Sequence, residues 1–142
     1  MDIQKNSKRS PDCGLLPTRK QLERDIAHTF NAFNHEILGV RSSKMTCTIF
    51  NNYLTIVGES AMTPVEEFIY ESGQLDMLLA IRESINGALE QKLEKITEEL
   101  LQVKPLESFC KLSLNTRRLM GFVILSEPPS FRVKQSRKNR FA

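Results

Sequence analysis

The spacing of apolar positions changes several times along this chain, and each change marks an element. Leu22, Ile26, Phe30, Phe33 and Ile37 step by three and four, which predicts an amphipathic helix over 19–38. Thr18-Arg19-Lys20-Gln21 ahead of it matches a capping box, and Gly39 stands where a helix-ending glycine belongs. The period then becomes two: Met45, Cys47 and Ile49 alternate with Thr46, Thr48 and Phe50. Asn51-Asn52 interrupts, and Tyr53 to Val57 resumes a β-rich run. Asparagine tolerates positive φ, so these runs read as a tight hairpin. Thr63-Pro64-Val65-Glu66 is a second helix start, with Thr63 as cap, Pro64 in the first turn and Glu66 closing the box. That short helix runs through Tyr70 and ends near Ser72-Gly73, either separate from its successor or forming one kinked rod with it.

The longest pattern spans 74–103. Leu75, Leu78, Ile81, Ile85, Leu89, Leu93, Ile96, Leu100 and Val103 share one stripe, with Glu90, Glu94, Lys95, Glu98 and Glu99 turned to water. At 1.5 Å per residue such a helix is roughly 45 Å long. Lys104-Pro105 stops it, because the residue before proline is driven out of the α region. Phe109 to Leu114 alternates again, Asn115-Thr116-Arg117-Arg118 reads as a turn, and Leu119 to Leu125 is apolar at nearly every position, as a central strand is. The order is a helix–strand–strand unit used twice. It predicts a two-layer α+β fold, helix-hairpin-helix-hairpin, in which two main helices pack on one face of a four-stranded, largely antiparallel sheet.

Length and composition fit one soluble domain: 142 residues, 40% hydrophobic and 26% charged. We divide the chain into a flexible segment 1–17, a domain 18–127 and a basic, disordered tail 128–142. No apolar run approaches the length of a transmembrane segment, and the N-terminus lacks the apolar core of a secretory signal, so the expected location is cytoplasmic. The net charge of +3 is uneven: residues 18–127 sum to −3, whereas 128–142 carry five cations and no acid. Cys13, Cys47 and Cys110 form no C-x-x-C pair, and His28 and His35 lie seven apart. Neither set has zinc-site spacing, so no metal, cofactor or small-molecule ligand is expected, and Cys47 and Cys110 read as small buried hydrophobes. Two helical turns would hold the histidines about 10 Å apart, too far for one shared proton transfer.

Three candidate sites remain. Arg41, Arg117 and Arg118 sit at turns that this topology can gather into an anion site, against the plainer reading of solvated loop arginines. Arg132, Lys134, Arg137, Lys138 and Arg140, flanked by Phe131 and Phe141, suit weak binding of nucleic acid or an anionic surface; a solubilising terminus is the plainer reading. Leu89, Leu93, Ile96, Leu100 and Val103 step by 4, 3, 4 and 3, the rhythm of a helix–helix seam, which suits self-association as a homodimer. Packing on the chain's own sheet is the plainer reading.

Leu16-Pro17-Thr18-Arg19-Lys20-Gln21-Leu22-Glu23 resembles the opening of the MpsC-like proteins, whose first helix begins with a Thr-Arg-x-Gln-Leu-Glu box. Leu38-Gly39, the strand Met45 to Phe50 and the long helix are also similar. The resemblance covers residues 15–127 and is nearest the cyanobacterial branch. Gly39-Val40-Arg41 departs from that family's Gly-Arg-Gly-like turn, and in 113–118 only Thr116 matches its Asp, Thr and Gly turn. The resemblance implies a small soluble member of a sodium-translocating, membrane-potential-generating system, grouped with membrane and bicarbonate-uptake components. With no catalytic constellation visible, the expected role is a non-enzymatic accessory protein acting through protein partners or self-association. The alternative is a nucleic-acid-associated protein that uses the tail.

Overall fold

A computed structural model describes residues 16–133. The elements run α1 (Arg19–Leu38), β1 (Met45–Phe50), β2 (Tyr53–Gly58), α2 (Pro64–Glu71), α3 (Leu75–Leu101), β3 (Pro105–Leu112) and β4 (Leu119–Leu125). The sheet has the order β1-β2-β4-β3, and every neighbouring pair is antiparallel. The fold is α+β, with α1 and α3 covering one face of the sheet and the other face left open by the described residues.

Local chemistry explains where the helices begin and end. The Thr18 side chain accepts from the Gln21 amide, and the Gln21 side chain accepts from the Thr18 amide. Two orphan amides are thereby satisfied at once. Gly39 closes α1 in the left-handed region at φ 75°. Gly73 at φ 80° separates α2 from α3, so the two are distinct helices rather than one kinked rod. In the first hairpin Asn51 takes φ 55°, the conformation asparagine was expected to supply.

The inner face of the sheet carries Cys47, Ile49, Leu54, Ile56, Cys110, Leu112, Leu119, Val123 and Leu125, all buried. Leu22, Ile26 and Phe30 of α1 and Leu89, Leu93 and Ile96 of α3 complete the core. Helix α3 comes so close to β4 that a Cβ on Gly121 would lie 2.9 Å from Leu93 Cδ2 and 2.7 Å from Ile56 Cγ2.

Two parts of the long stripe depart from expectation. Leu75 and Ile81 are exposed, and the buried positions of the first half of α3 are Leu78 and Arg82. Glu90 and Glu94 do not face bulk water. Glu90 accepts the Cys110 amide and Glu94 accepts the Ser108 hydroxyl, both on edge strand β3. At the opposite edge Glu23 of α1 accepts the Ile49 amide of β1, and Arg19 donates to the Ile49 carbonyl. Each edge strand therefore has a free-side amide capped by a glutamate from the helix above it, which blunts edge-to-edge pairing.

Strand β3 begins at Pro105, four residues earlier than the alternation showed, because a register irregularity between Pro105 and Glu107 hides its period. The described residues beyond 127, 128–133, also stay on the domain. Pro129 is buried, Phe131 packs against the core, and the Arg132 amide donates to the Pro17 carbonyl.

Candidate functional site

Helix α2 and the start of α3 form a hairpin whose apolar residues are largely uncovered. Val65 is 67% exposed and Phe68 70%, and Leu75, Met77, Leu79 and Ile81 are exposed as well. Between Leu75 and Ile81 only Leu78 is buried. The exposed acids Glu71, Asp76 and Glu83 lie among them.

This hairpin is held from beneath by a buried ion pair. Arg82 Nη1 of α3 donates to both oxygens of Glu66 of α2, at 3.0 and 2.9 Å, with side-chain exposures of 4% and 2%. Arg82 Nε also donates to Asn86 Oδ1. Glu66 accepts in addition from the Thr63 amide and hydroxyl, each at 2.9 Å. One carboxylate thus caps α2 and ties it to α3. The capping box was legible in the sequence; the partner sixteen residues on was not, since Arg82 occupies a helical position next to apolar Ile81.

The cationic turns have a different fate from the one their sequence suggested. The Arg41 loop, the chain after β2 and the Arg117-Arg118 turn do share one end of the sheet, linked by Glu59 N–H to Lys44 O and Ala61 N–H to Arg117 O. The charges are already taken, however. Arg117 meets Glu67 through Nε and Nη2, both at 2.9 Å, with its guanidinium 5.0 Å from the Tyr70 ring, and it also donates to the Leu114 carbonyl. Arg118 Nε donates to Glu59 at 2.9 Å. Hydrogen bonding from Arg117 holds the Glu67 carboxyl below the usual carboxylate range. Of the three arginines only Arg41, exposed in its loop, lacks a carboxylate partner among the described residues. The first carboxylate ligand for Arg117 and Arg118 is the chain itself.

The seam residues also lie elsewhere than self-association requires. Leu89, Leu93, Ile96 and Val103 are buried, and half-buried Leu100 packs against the same core. Their 4-3-4-3 rhythm is turned toward the chain's own sheet and α1, which leaves only Leu100 partly accessible. Of the tail cations, Arg132 donates through Nε to the Leu16 carbonyl; Lys134, Arg137, Lys138 and Arg140 fall outside the described residues. His28 and His35 are both exposed on α1.

Cys47 and Cys110 are buried free thiols. Burial, reinforced by the nearby carboxylates Glu23 and Glu90 respectively, pushes each thiol up to about 12, from an ordinary value of about 8.5. A raised folded-state pKa contributes stability that is complete below the unfolded pKa and is lost as pH rises. The fold is therefore expected to weaken between about pH 9 and pH 12 through these two groups. A Cys47→Ala/Cys110→Ala chain should lose less stability over that window in urea titrations; parallel curves would remove the thiols as the cause. Among the described residues no group of three or more His, Cys, Asp or Glu is arranged to hold a metal, and no helix is long and apolar enough to cross a membrane.

The open sheet face completes the exposed surface. The strand registers align its outward residues in three rows: Phe50, Tyr53, Ile124 and Glu107; Thr48, Thr55, Phe122 and Phe109; Thr46, Val57, Met120 and Lys111. Tyr53 and Phe122 stack with ring centroids 5.9 Å apart. Comparison with protein families finds one that matches residues 18–127, described as the Na+-translocating membrane potential-generating system (MpsC). No curated protein and no solved structure matches the chain.

Proposed function

Because this chain belongs to the MpsC family, we propose that it is a non-catalytic accessory protein of a sodium-translocating membrane system. In this reading it works from the cytoplasm and docks on a membrane-embedded component through the α2–α3 hairpin. The observation that carries the proposal is the exposure of Val65, Phe68, Met77 and Leu79 on consecutive helices. An isolated exposed apolar residue is ordinary, but this many large ones within two consecutive helices suit an interaction surface. Its acidic surroundings, Glu71, Asp76 and Glu83, select the partner. They repel an anionic lipid surface and suit the Lys- and Arg-rich cytoplasmic loops of membrane proteins. Neither described cysteine offers a nucleophile, since both are buried and protonated at neutral pH.

The test is complementation in cells that lack this chain, with sodium-dependent membrane potential as readout and co-purification of the system's membrane subunits in parallel. The intact chain is expected to restore the potential and co-purify. Phe68→Asp/Leu79→Asp, folded by circular dichroism, is expected to lose both. Full rescue by that variant would overturn the docking surface. Salt-sensitive capture of DNA by the intact chain, with no effect on the potential, would favour the nucleic-acid reading.

A further inference from the structure

We propose that two copies of this chain associate through their open sheet faces, about a dyad that runs across the strands along the Phe122–Phe109 row. Of the twelve outward positions in the three rows, only Glu107 and Lys111 are charged, and they are opposite in sign. Both lie on β3, two residues either side of Phe109, which is itself 51% exposed. At about 3.4 Å per residue, each charge stands roughly 7 Å from the middle row. A dyad along that row lays β3 antiparallel over its copy and exchanges the outer rows. Glu107 of each copy then comes over Lys111 of the other, twice. Phe109 meets its own copy, and Tyr53 and Ile124 come over Val57 and Met120. Isologous contact demands this kind of self-complementarity, and the face supplies it in both charge and apolar content.

The alternative route to a sheet-mediated dimer is edge pairing, and the fold obstructs it. Glu23 and Glu90 already occupy amides on the free sides of β1 and β3. Face-to-face stacking leaves both caps in place and produces the aligned packing of a β-sandwich, with sheets about 10 Å apart. Four strands at about 4.8 Å and six residues at about 3.4 Å give a footprint of roughly 19 by 20 Å. That flat footprint, about 380 Å² per copy, is roughly half the 800 Å² per partner of a standard interface, so the dimer should be a weak, reversible one.

The decisive experiment uses charge reversal in the full-length chain, read by sedimentation velocity over a micromolar concentration series. The intact chain is expected to shift from monomer to dimer as concentration rises. Glu107→Lys places two lysines against each other across the dyad, and Lys111→Glu places two glutamates there. Each single variant should weaken association by roughly tenfold or more, since like charges in register are costly. Mixing the two single variants should restore the dimer as a heterodimer, because every cross-dyad pair is then opposite in sign. The double exchange in one chain should restore it too. Circular dichroism checks that each variant is folded. A monomer at all concentrations, or a dimer indifferent to these reversals, would overturn the proposal. So would single variants that stay monomeric when mixed.

Discussion

Replacing Glu66 with alanine is expected to destabilise the fold by about 3–5 kcal/mol, because it strands a buried guanidinium. Arg82 Nη1 has both Glu66 oxygens as partners, and the two side chains are only 4% and 2% exposed. The substitution also strips the N-cap of α2 of its reciprocal acceptor, since the Thr63 amide and hydroxyl both donate to Glu66 Oε1. A lost cap alone costs about 1 kcal/mol, so the stranded charge dominates. A control separates the two contributions. Glu66→Met/Arg82→Met removes both charges and keeps apolar volume, and it should recover most of the loss, leaving a deficit near the cap term. Urea unfolding of the single and double variants measures this. A double variant as unstable as Glu66→Ala would mean that the cap and packing, rather than the charge, set the cost.

The same pair shows why the fold was more legible than the surface. The α1 boundaries, the first hairpin and β4 follow from signals within one turn of the chain: Thr18 with Gln21, Gly39, Asn51, and the apolar run from Leu119. Period alone then separates the layers, because a strand buries alternate residues and a helix every third or fourth. What period cannot report is which stretch of a stripe finds a partner. Leu75, Leu78 and Ile81 look equivalent in sequence, yet only Leu78 is covered, while the fully buried apolar positions of the second half, Leu89, Leu93 and Ile96, belong to the core shared with the sheet and α1. The exposed hairpin of the proposed docking site is the consequence. Likewise Arg117 and Arg118 read as free cations because Glu67 and Glu59 are 50 and 59 residues away in the chain. Long-range pairing of opposite charges leaves no local trace.

Leu93 carries the second large effect. Leu93→Ala is expected to cost about 2–5 kcal/mol, the range for a buried leucine whose neighbours relax only partly. Its relaxation is limited from below. Leu93 Cδ2 sits over Gly121 in the middle of β4, where no side chain exists to swing into the space. This placement also makes a sharp non-additivity. Gly121→Ala in the intact chain forces a methyl to within 2.7 Å of Ile56 Cγ2 and 2.9 Å of Leu93 Cδ2, an overpacking expected to cost about 1–3 kcal/mol. In the Leu93→Ala background the same methyl fills part of the cavity, so the double variant should be more stable than the sum of the singles by roughly 1 kcal/mol or more. Thermal or urea unfolding of the four chains closes the cycle. Additive losses would mean that α3 does not approach β4 at this point. The oligomeric state provides the second readout: Leu93 faces the chain's own sheet, so its truncation should leave self-association per folded molecule unchanged. A specific loss of dimer in folded Leu93→Ala would return the seam from Leu89 to Val103 to the interface and displace the sheet face from it.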